Sequence, residues 1–381
     1  MTTPGGKPRI LHLHSTFDAG GKELRCVRLM NAFGNRFIHT VVSAESGAMG
    51  AAQLVSKGVS VAYSRGFPAL QGWPTPARLG RIARAMQGHD LILTYNWGAM
   101  DAVMAHTLFG KPYRLPPLIH HEDGFNADEA ARLKPSRNWF RSIALGRASA
   151  LVVPSRRLER IALDKWYQPA GRVHRIPNGL PVADYARKPK KDAVPGIIKR
   201  DGELWLGTLA GLRAVKNLPR LVRAFSGLPD HWQLVILGTG PEKASILAEA
   251  QRLGIEHRVH LPGFVQEPAR VIGLFDLFAL SSDSEQFPLS VVEAMAAGLA
   301  VASPDVGDVA AIVSEENRSF VSPAGDETSL AWSIGALAGD ATLRASVGAA
   351  NRAKARAEYD EKDMIAAYRE LYDSALALGR P

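Results

Sequence analysis

The chain contains 381 residues with a net charge of +9, and 46% of its residues are apolar while 22% are charged. This length suits two domains, and this composition excludes fibrous and disordered classes. No apolar run reaches the roughly 20 residues that span a bilayer, and the polar residues 1–8 do not form a signal peptide. The single cysteine, Cys26, excludes an intramolecular disulfide and a cysteine-based zinc cluster. We therefore expect a cytoplasmic protein.

The positive charge is concentrated in the first half of the chain. Residues 1–186 contain 24 Lys and Arg against 12 Asp and Glu, a net charge of +12, whereas residues 201–381 contain 16 against 24, a net charge of −8. A basic half favours an anionic partner. A membrane surface, an acidic glycan and nucleic acid all fit, as does a solvated surface without a partner. Nucleic acid is the weakest of these, because no helix-turn-helix or aromatic-interleaved basic signature is present.

Short apolar runs alternate with amphipathic helical patterns along the first half, which predicts a parallel sheet with helices on both faces. The predicted strands are residues 10–14, 37–42, 59–64, 90–95, 117–120 and 150–154, and helices are predicted at 23–33 and 76–87. The charged, proline-bearing segment 187–200 predicts a linker.

The same alternation restarts after the linker. Strands are predicted at 205–209, 233–237, 259–261, 277–281 and 300–303, and helices at 217–225, 242–253, 289–297 and 361–378. The sequence thus predicts an α/β protein with two Rossmann-like, doubly wound parallel-sheet domains, at 1–186 and 201–360, followed by a last helical segment at 361–381. Two such domains in tandem favour a ligand cleft between them, at the carboxyl ends of the strands.

The most informative segment, residues 282–298, places two carboxylates around a helix start. Pro288 suits the first helical position, because its missing N–H would have no partner there. Glu285 then lies in the loop ahead of the helix, and Glu293 lies in its second turn, leaning back toward the helix start. Free N–H groups at that start favour an anion such as phosphate. The segment could therefore hold a phosphate and two hydroxyls together.

Two cations follow a predicted strand of the second half. Arg213 and Lys216 lie just after the strand at 205–209, where an Arg fork and a Lys point charge suit a diphosphate. Two exposed charges on a loop are an equally good interpretation of these residues alone. Glycine-rich turns follow three of the predicted strands, at Gly20-Gly21, Gly238 and Gly263. Glycine lets the backbone approach a ligand closely, but each of these segments can also be a plain structural turn.

A dense titratable cluster, His120-His121-Glu122-Asp123, follows another predicted strand and is a second candidate site. A solvated polar loop is an equally good interpretation of these residues alone. Adjacent histidines point to different faces, so they do not predict joint metal ligands. No Asp-x-Asp motif and no His/Cys spacing suits a metal. We therefore expect neither a metal nor another cofactor, and a diphosphate would be neutralised by cations and helix N–H groups.

A basic stretch with aromatic residues surrounds Trp139 and Phe140. Such a helix can lie on an anionic membrane surface. Alternatively, the two aromatic rings pack inward while the arginines face water. The cations of this stretch are Arg132, Lys134, Arg137, Arg141, Arg147, Arg156, Arg157 and Arg160.

Taken together, these residues resemble the retaining glycosyltransferases of family 4, the glycosyl transferases group 1, which have the two-domain GT-B fold. The resemblance runs from Ile10 to about Leu376. Its most specific element is Glu285-x7-Glu293 within the run Glu-Gln-Phe-Pro-Leu-Ser through Glu-Ala-Met-Ala-Ala-Gly. The Gly20-Gly21 turn, Pro177-Asn178-Gly179, Arg213 with Lys216, and Leu261-Pro262-Gly263-Phe264 add to it in the family's order.

The resemblance implies a role for each matching residue. The second domain would hold a nucleotide diphosphate-sugar, with Arg213 and Lys216 on the diphosphate, Glu293 on the ribose and Glu285 on the sugar. Gly21 would close over the diphosphate, and His121 or His120 would lie beside the anomeric carbon. The last helix would return to the first domain. Backbone groups that would meet the donor belong to Gly20, Gly238, Gly263, Phe264, Phe287, Pro288, Leu289 and Ser290.

This sequence departs from the family pattern after the first Glu of the motif. Gln286 stands where the family often has glycine, so we expect donor preference to be set there. Ala300 replaces a frequent proline, a change that is structural.

The resemblance implies a retaining, metal-independent sugar transfer to a glycan or lipid-linked acceptor, in cell-envelope or exopolysaccharide synthesis. Such an enzyme would lie in the cytoplasm or on the inner face of the membrane. A nucleotide-sugar epimerase, and a non-catalytic scaffold that binds sugar nucleotides or glycans, are the alternatives on the same architecture.

Overall fold

The computed structural model describes residues 6–125, 127–129 and 132–379. The chain divides into two compact units. The first contains Met1–Pro177 together with Met364–Pro381, and the second contains Asn178–Asp363.

The first unit is built on a seven-stranded sheet in which every paired strand is parallel to its neighbour. The strands are β1 Arg9–His14, β2 Ile38–Ser43, β3 Ser60–Tyr63, β4 Leu91–Tyr95, β5 Leu118–His121, β6 Ala150–Val153 and β7 Val173–Arg175. Their order across the sheet is β3-β2-β1-β4-β5-β6-β7. All five residues of β4 are buried, as expected for a central parallel strand covered on both faces.

Helices connect these strands and cover the sheet. They are α1 Gly21–Phe33, α2 Pro76–Ala85, α3 Met100–Tyr113, α4 Pro135–Ala144 and α5 Arg156–Asp164. Local sequence explains several helix starts. Thr75 accepts a hydrogen bond from the Arg78 N–H (3.4 Å) with Pro76 in the first turn, and Ser155 caps α5 through the Leu158 N–H (3.0 Å).

The second unit repeats the design with six parallel strands. They are β8 Leu204–Leu209, β9 Trp232–Leu237, β10 Val259–Gly263, β11 Leu277–Ala279, β12 Val301–Pro304 and β13 Val321–Ser322, in the order β10-β9-β8-β11-β12-β13. Its helices are α6 Leu218–Phe225, α7 Lys243–Arg252, α8 Leu289–Ala297, α9 Val309–Ile312, α10 Glu327–Gly339 and α11 Ala341–Glu358.

The last helix, α12 Glu361–Leu378, belongs almost entirely to the first unit. Its buried residues Met364, Tyr368, Tyr372 and Ala375 pack in one apolar cluster with Ile10 of β1 and with side chains of α1 and β4. From Met364 onward the last helix thus lies in the first unit. The predicted α/β fold class is confirmed.

The edges of the two sheets and the domain boundary differ from the predictions. Strands β7 and β13 were not predicted, because each has only two or three residues and no apolar run. The first unit ends at Pro177 instead of 186, and the predicted linker 187–200 lies in the second unit. The physical reason is packing: Tyr185 and Val194 are buried in the core of the second unit.

No helix in the described part of the chain is long and apolar enough to cross a bilayer.

The packing of α12 generates a prediction about stability. Tyr368 is fully buried, so Tyr368→Ala leaves a cavity and should lower the free energy of unfolding by about 3 kcal/mol or more. Urea denaturation followed by fluorescence measures this loss. Glu370→Ala, on the exposed side of the same helix, is the matched control and should change the midpoint little. Equal midpoints for both variants would contradict the packing.

Candidate functional site

The second unit gathers the predicted donor-site residues at one edge of its sheet. Arg213 and Lys216 follow β8, Gly238 follows β9, Gly263 ends β10, and Glu285 lies in the loop after β11. Because all six strands are parallel, the loops after their carboxyl ends share this edge.

Lys216 and Glu285 form an ion pair at this edge, and both side chains are largely buried. The Ser282 hydroxyl donates a second hydrogen bond to Glu285 Oε1 (2.7 Å), and the Ser281 hydroxyl donates to the Lys216 carbonyl oxygen (2.9 Å). The ion pair thus connects the loop after β8 to the loop after β11, although Lys216 and Glu285 are 69 residues apart in the sequence. The arrangement holds a cation and a carboxylate in contact, where a phosphate and a hydroxyl could each find a partner.

Arg213 differs from Lys216. Its side chain is exposed, and no carboxylate pairs with it among the residues that the structure describes. Its guanidinium therefore keeps all its donors available for an anionic ligand.

Helix α8 starts one residue later than predicted. Pro288 is its N-cap, with extended backbone, and Leu289 and Ser290 are the first helical residues. Phe287, just before the cap, packs its ring against Tyr359 (5.8 Å between centroids). The Val291 N–H donates to the Pro288 carbonyl oxygen (3.0 Å). The N–H groups of Leu289 and Ser290, the first two helical residues, remain available to an anion.

Glu293 lies in the second turn of α8, as predicted, and it is partly exposed. Its Oε1 accepts a hydrogen bond from the Tyr185 hydroxyl (3.0 Å). Sequence reasoning missed Tyr185 and Ser282, and no motif marks either of them. Tyr185 is 108 residues from Glu293 and lies in a segment that the sequence assigned to the other domain.

Backbone contacts join the loops after β8, β9 and β10. The Gly238 N–H donates to the Gly263 carbonyl oxygen (2.8 Å). Gly238 has φ of +150°, and a Cβ there would lie 1.9 Å from the Ala210 carbonyl oxygen, so glycine is required. Phe264, next to Gly263, is 70% exposed and therefore free to stack on a ligand.

The backbone of Gln286, in the loop after β11, is fixed by a hydrogen bond. Its carbonyl oxygen accepts the Asp308 N–H (3.1 Å). Its side-chain Oε1 is buried and has no hydrogen-bond partner among the described residues. A donor group on a ligand would satisfy this oxygen.

In the first unit, Gly20 is the N-cap of α1 and Gly21 is its first residue. A Cβ at Gly20 would lie 2.7 Å from Glu23 Oε2, whereas a Cβ at Gly21 would meet nothing within 4 Å. Gly21 is exposed, so the space beside it is open to a ligand.

His120 and His121 end β5 and are both almost fully buried. The His121 ring stacks between Tyr95 (4.7 Å) and Tyr368 (5.8 Å), with Nδ1 at 3.2 Å from the Thr94 carbonyl oxygen. Burial, with the nearby charge of Arg25, lowers the pKa of His121 well below its usual value, so the ring is neutral at pH 7.

His120 points elsewhere. Its Nδ1 lies 2.8 Å from the Thr94 hydroxyl, and its Nε2 lies 3.8 Å from Glu122 Oε2. The role beside the anomeric carbon stays a prediction for either histidine.

Three cations of the basic aromatic stretch, Lys134, Arg137 and Arg141, pair with carboxylates of the first unit. Arg141 is fully buried and pairs with Glu122 (3.3 Å) and Glu129 (3.2 Å). Three aromatic rings surround its guanidinium within about 5 Å, those of Trp97, Phe125 and Trp166. Such buried charges are costly to desolvate, and here each ion pair of the guanidinium is with a buried carboxylate, although Glu122 Oε1 has no hydrogen-bond partner among the described residues.

The two aromatic residues of α4 behave differently from each other. Phe140 packs against Trp97 (5.7 Å), as the inward interpretation predicts, whereas Trp139 is 67% exposed. Lys134 and Arg137 pair with Asp128, so these two cations are not free surface charges.

Comparison with known proteins gives two matches to family models. Residues 20–179 match a model described as glycosyl transferase 4-like domain, and residues 191–354 match the model described as glycosyl transferases group 1. Each match lies within one of the two units, apart from residues 178 and 179 at the boundary.

Curated relatives match shorter parts. The N-acetyl-alpha-D-glucosaminyl L-malate synthase of Bacillus anthracis is 27% identical over 170 residues, which cover 44% of this chain and 45% of that protein. The N-acetylgalactosamine-N,N'-diacetylbacillosaminyl-diphospho-undecaprenol 4-alpha-N-acetylgalactosaminyltransferase of Campylobacter jejuni is 30% identical over 152 residues, 40% of this chain and 41% of that protein. The chain thus spans less than half the length of these relatives.

Solved structures share the whole fold. Anabaena Alr3699/HepE in complex with UDP superposes with a TM-score of 0.80 at 21% identity, covering 96% of this chain and 100% of that one. Sucrose-phosphate synthase from Thermosynechococcus elongatus superposes with a TM-score of 0.75 at 19% identity, covering 97% and 100%. With both halves matched in order by the two family models, the chain belongs to the glycosyl transferases group 1 family.

Proposed function

We propose that this protein transfers a sugar from a nucleoside diphosphate-sugar to a hydroxyl of a glycan or lipid-linked acceptor, in the synthesis of a cell-envelope or exported polysaccharide. The observation that carries the proposal is the contact of Lys216 with Glu285 at the same sheet edge as Glu293 and the start of α8. Family membership supports it, as do the names of the relatives and the UDP bound by the Anabaena neighbour.

The second unit provides the donor site in this proposal. Arg213, Lys216 and the N–H groups at the start of α8 bind the diphosphate, because together they offer two cations and a helix N-terminus. Glu293 accepts hydrogen bonds from the ribose hydroxyls, and Glu285 accepts one from the sugar. The aromatic ring of Phe264 and the backbone near Gly263 meet the base.

We propose that the transfer retains the anomeric configuration and needs no metal ion. The three carboxylates of the loop after β11 and of α8 are engaged, since Glu285 pairs with Lys216, Asp283 pairs with Arg220 (2.8 Å) and Glu293 accepts from Tyr185. None of these three is left as an obvious nucleophile. The bond from the anomeric carbon to the phosphate oxygen then breaks as the acceptor oxygen bonds from the same face, and the phosphate oxygen takes the acceptor proton. Cations and helix N–H groups stabilise the leaving diphosphate.

Binding measurements test the donor site. UDP and GDP are screened first, because a ligand at 100 times its Kd stabilises the fold by about 2.7 kcal/mol and so raises Tm. For the nucleotide that binds, Glu293→Gln should weaken its affinity by about tenfold or more while leaving pyrophosphate binding unchanged. Lys216→Ala should weaken both ligands, because it removes a diphosphate contact.

The control for these variants is Lys243→Ala, an exposed lysine of α7, which should bind both ligands normally. Unchanged affinity of Lys216→Ala for pyrophosphate would refute the diphosphate role. An epimerase is distinguished by incubation with the nucleotide-sugar alone, since it forms a new sugar product without any acceptor.

The stereochemical proposal has its own test. Proton NMR of the first product should show the same anomeric configuration as the donor, and added Mg²⁺ or Mn²⁺ should leave the initial rate unchanged. An inverted product, or a rate that rises severalfold with the metal ion, would show that the proposed route is wrong.

We propose that the first unit binds the acceptor and meets an anionic membrane surface through α4. Trp139 (67% exposed) and Ile143 (38% exposed) form an apolar pair one helical turn apart, beside the exposed Arg132 and Arg147. Lys134, Arg137 and Arg141 are paired with carboxylates of the same unit, so they contribute little to the attraction of an anionic membrane. We therefore expect Trp139 and Ile143 to provide a large part of the affinity for the membrane.

Flotation with vesicles that contain anionic lipid measures this contact. Trp139→Ser should reduce the bound fraction severalfold, because the indole provides most of the buried apolar area. Trp332→Ser, which removes a tryptophan of similar exposure (64%) from the second unit, should not. If the wild-type protein shows no flotation at low salt, the membrane contact does not exist.

A further inference from the structure

The interior of the first unit contains a cluster of metal-binding side chains that the proposed sugar transfer does not use. We propose that His12, His14 and Cys26 bind one zinc ion. Each offers one ligand atom, and these atoms lie within 4.8 Å of one another. The side chains are only 3%, 0% and 2% exposed, respectively.

The local structure explains how these residues meet. His12 and His14 alternate along β1, so both point to the same face of the sheet. Helix α1 carries Cys26 and packs its buried face against that side. Imidazole nitrogen and thiolate sulfur are the ligands that zinc prefers in proteins.

The distances between His12, Cys26 and Tyr95 match those between neighbouring ligands of a zinc ion, and His14 lies within 4.8 Å of the other two proposed ligands. His12 Nδ1 lies 3.4 Å from Cys26 Sγ, and the Tyr95 hydroxyl oxygen lies 3.1 Å from His12 Nδ1 and 3.5 Å from Cys26 Sγ. With metal–ligand bonds of about 2.0 to 2.3 Å, neighbouring ligand atoms of a tetrahedral zinc site are about 3.3 to 3.6 Å apart. These three atoms therefore form a triangle of nearly the size of one tetrahedral face, and the Tyr95 oxygen is a candidate fourth ligand.

His14 gives an independent indication. Both of its ring nitrogens are buried, and neither has a hydrogen-bond partner in the described part of the chain. A buried polar group without a partner is costly, and a zinc ion bound to one of these nitrogens would remove part of that cost.

His39 orients the ring of His12. His12 Nε2 lies 2.9 Å from His39 Nδ1, so the nitrogen of His12 that faces away from Cys26 is already fixed by a hydrogen bond. Zinc-bound histidines are usually held in this way through their second nitrogen. The contact is compatible with the tautomer in which His12 Nε2 donates to His39 Nδ1 and His12 Nδ1 is free to bind the metal.

Two cations lie near the cluster, and each is paired with a carboxylate. Lys22 pairs with Glu23 and Arg25 with Asp123, which reduces the repulsion that these two cations exert on the ion. On binding, the Cys26 thiol releases its proton to solvent and the sulfur bonds to zinc as a thiolate, which offsets one of the two positive charges. This ion would link β1 to α1, the helix that begins at Gly21, and it is separate from the diphosphate site of the second unit.

Metal analysis of the full-length protein tests the proposal. After purification with zinc in the medium and without a metal-affinity tag, elemental analysis should find about one zinc per chain, and Cys26→Ser and His14→Gln should each lose most of it. His257→Gln, which removes an exposed histidine of the second unit, should retain the zinc. A wild-type protein with no more zinc than Cys26→Ser would overturn the proposal.

Cobalt(II) substitution of the wild-type protein provides a test that does not depend on variants folding. Because Cys26 is the single cysteine, a thiolate-to-cobalt charge-transfer band identifies Cys26 as a ligand directly. The band should appear in proportion to added cobalt and be displaced by zinc. Its absence in correctly folded protein would show that the cluster is held by hydrogen bonds alone.

Discussion

The parallel direction of every paired strand is the constraint on which the rest of this structure depends. Parallel strands send all their carboxyl ends to one edge of a sheet, so the loops that follow them meet there whatever their separation in sequence. In the second unit this brings Lys216 to Glu285 and ties the Gly238 backbone to Gly263. The site is thus a consequence of topology, and the particular side chains determine its chemistry.

Charge at this edge is arranged in pairs. The half of the chain that forms most of the second unit carries a net charge of −8, which by itself would repel a diphosphate. Lys216 compensates Glu285, and Arg220 compensates Asp283, while Arg213 stays unpaired among the described residues and exposed. Local pairing, with free N–H groups at the start of α8, therefore makes an anion site on an acidic domain physically reasonable.

In the first unit, the number of basic residues overstates the positive charge of the surface. Its sequence is strongly basic, but Arg141 is fully buried between Glu122 and Glu129, and Arg25 is held by both carboxylate oxygens of Asp123. These cations fasten the segment after β5 to α4 and to α1. They contribute to packing, and they reduce the positive potential that a count of Lys and Arg suggests.

Periodicity and short motifs were enough to predict the α/β class, most strands, the family and the position of Glu293 in the second turn of α8, because these depend on neighbours in sequence. The predicted start of α8 was wrong by one residue, because Pro288 is the N-cap and the helix begins at Leu289. The edge strands β7 and β13 and the place of residues 187–200 were also missed, because short strands and buried connections are defined by partners far away in the chain. The hydrogen bond of Tyr185 to Glu293 and the meeting of His12, His14 and Cys26 were likewise decided only by tertiary structure. Packing between distant segments brings these side chains together, and no local pattern in the sequence records that contact.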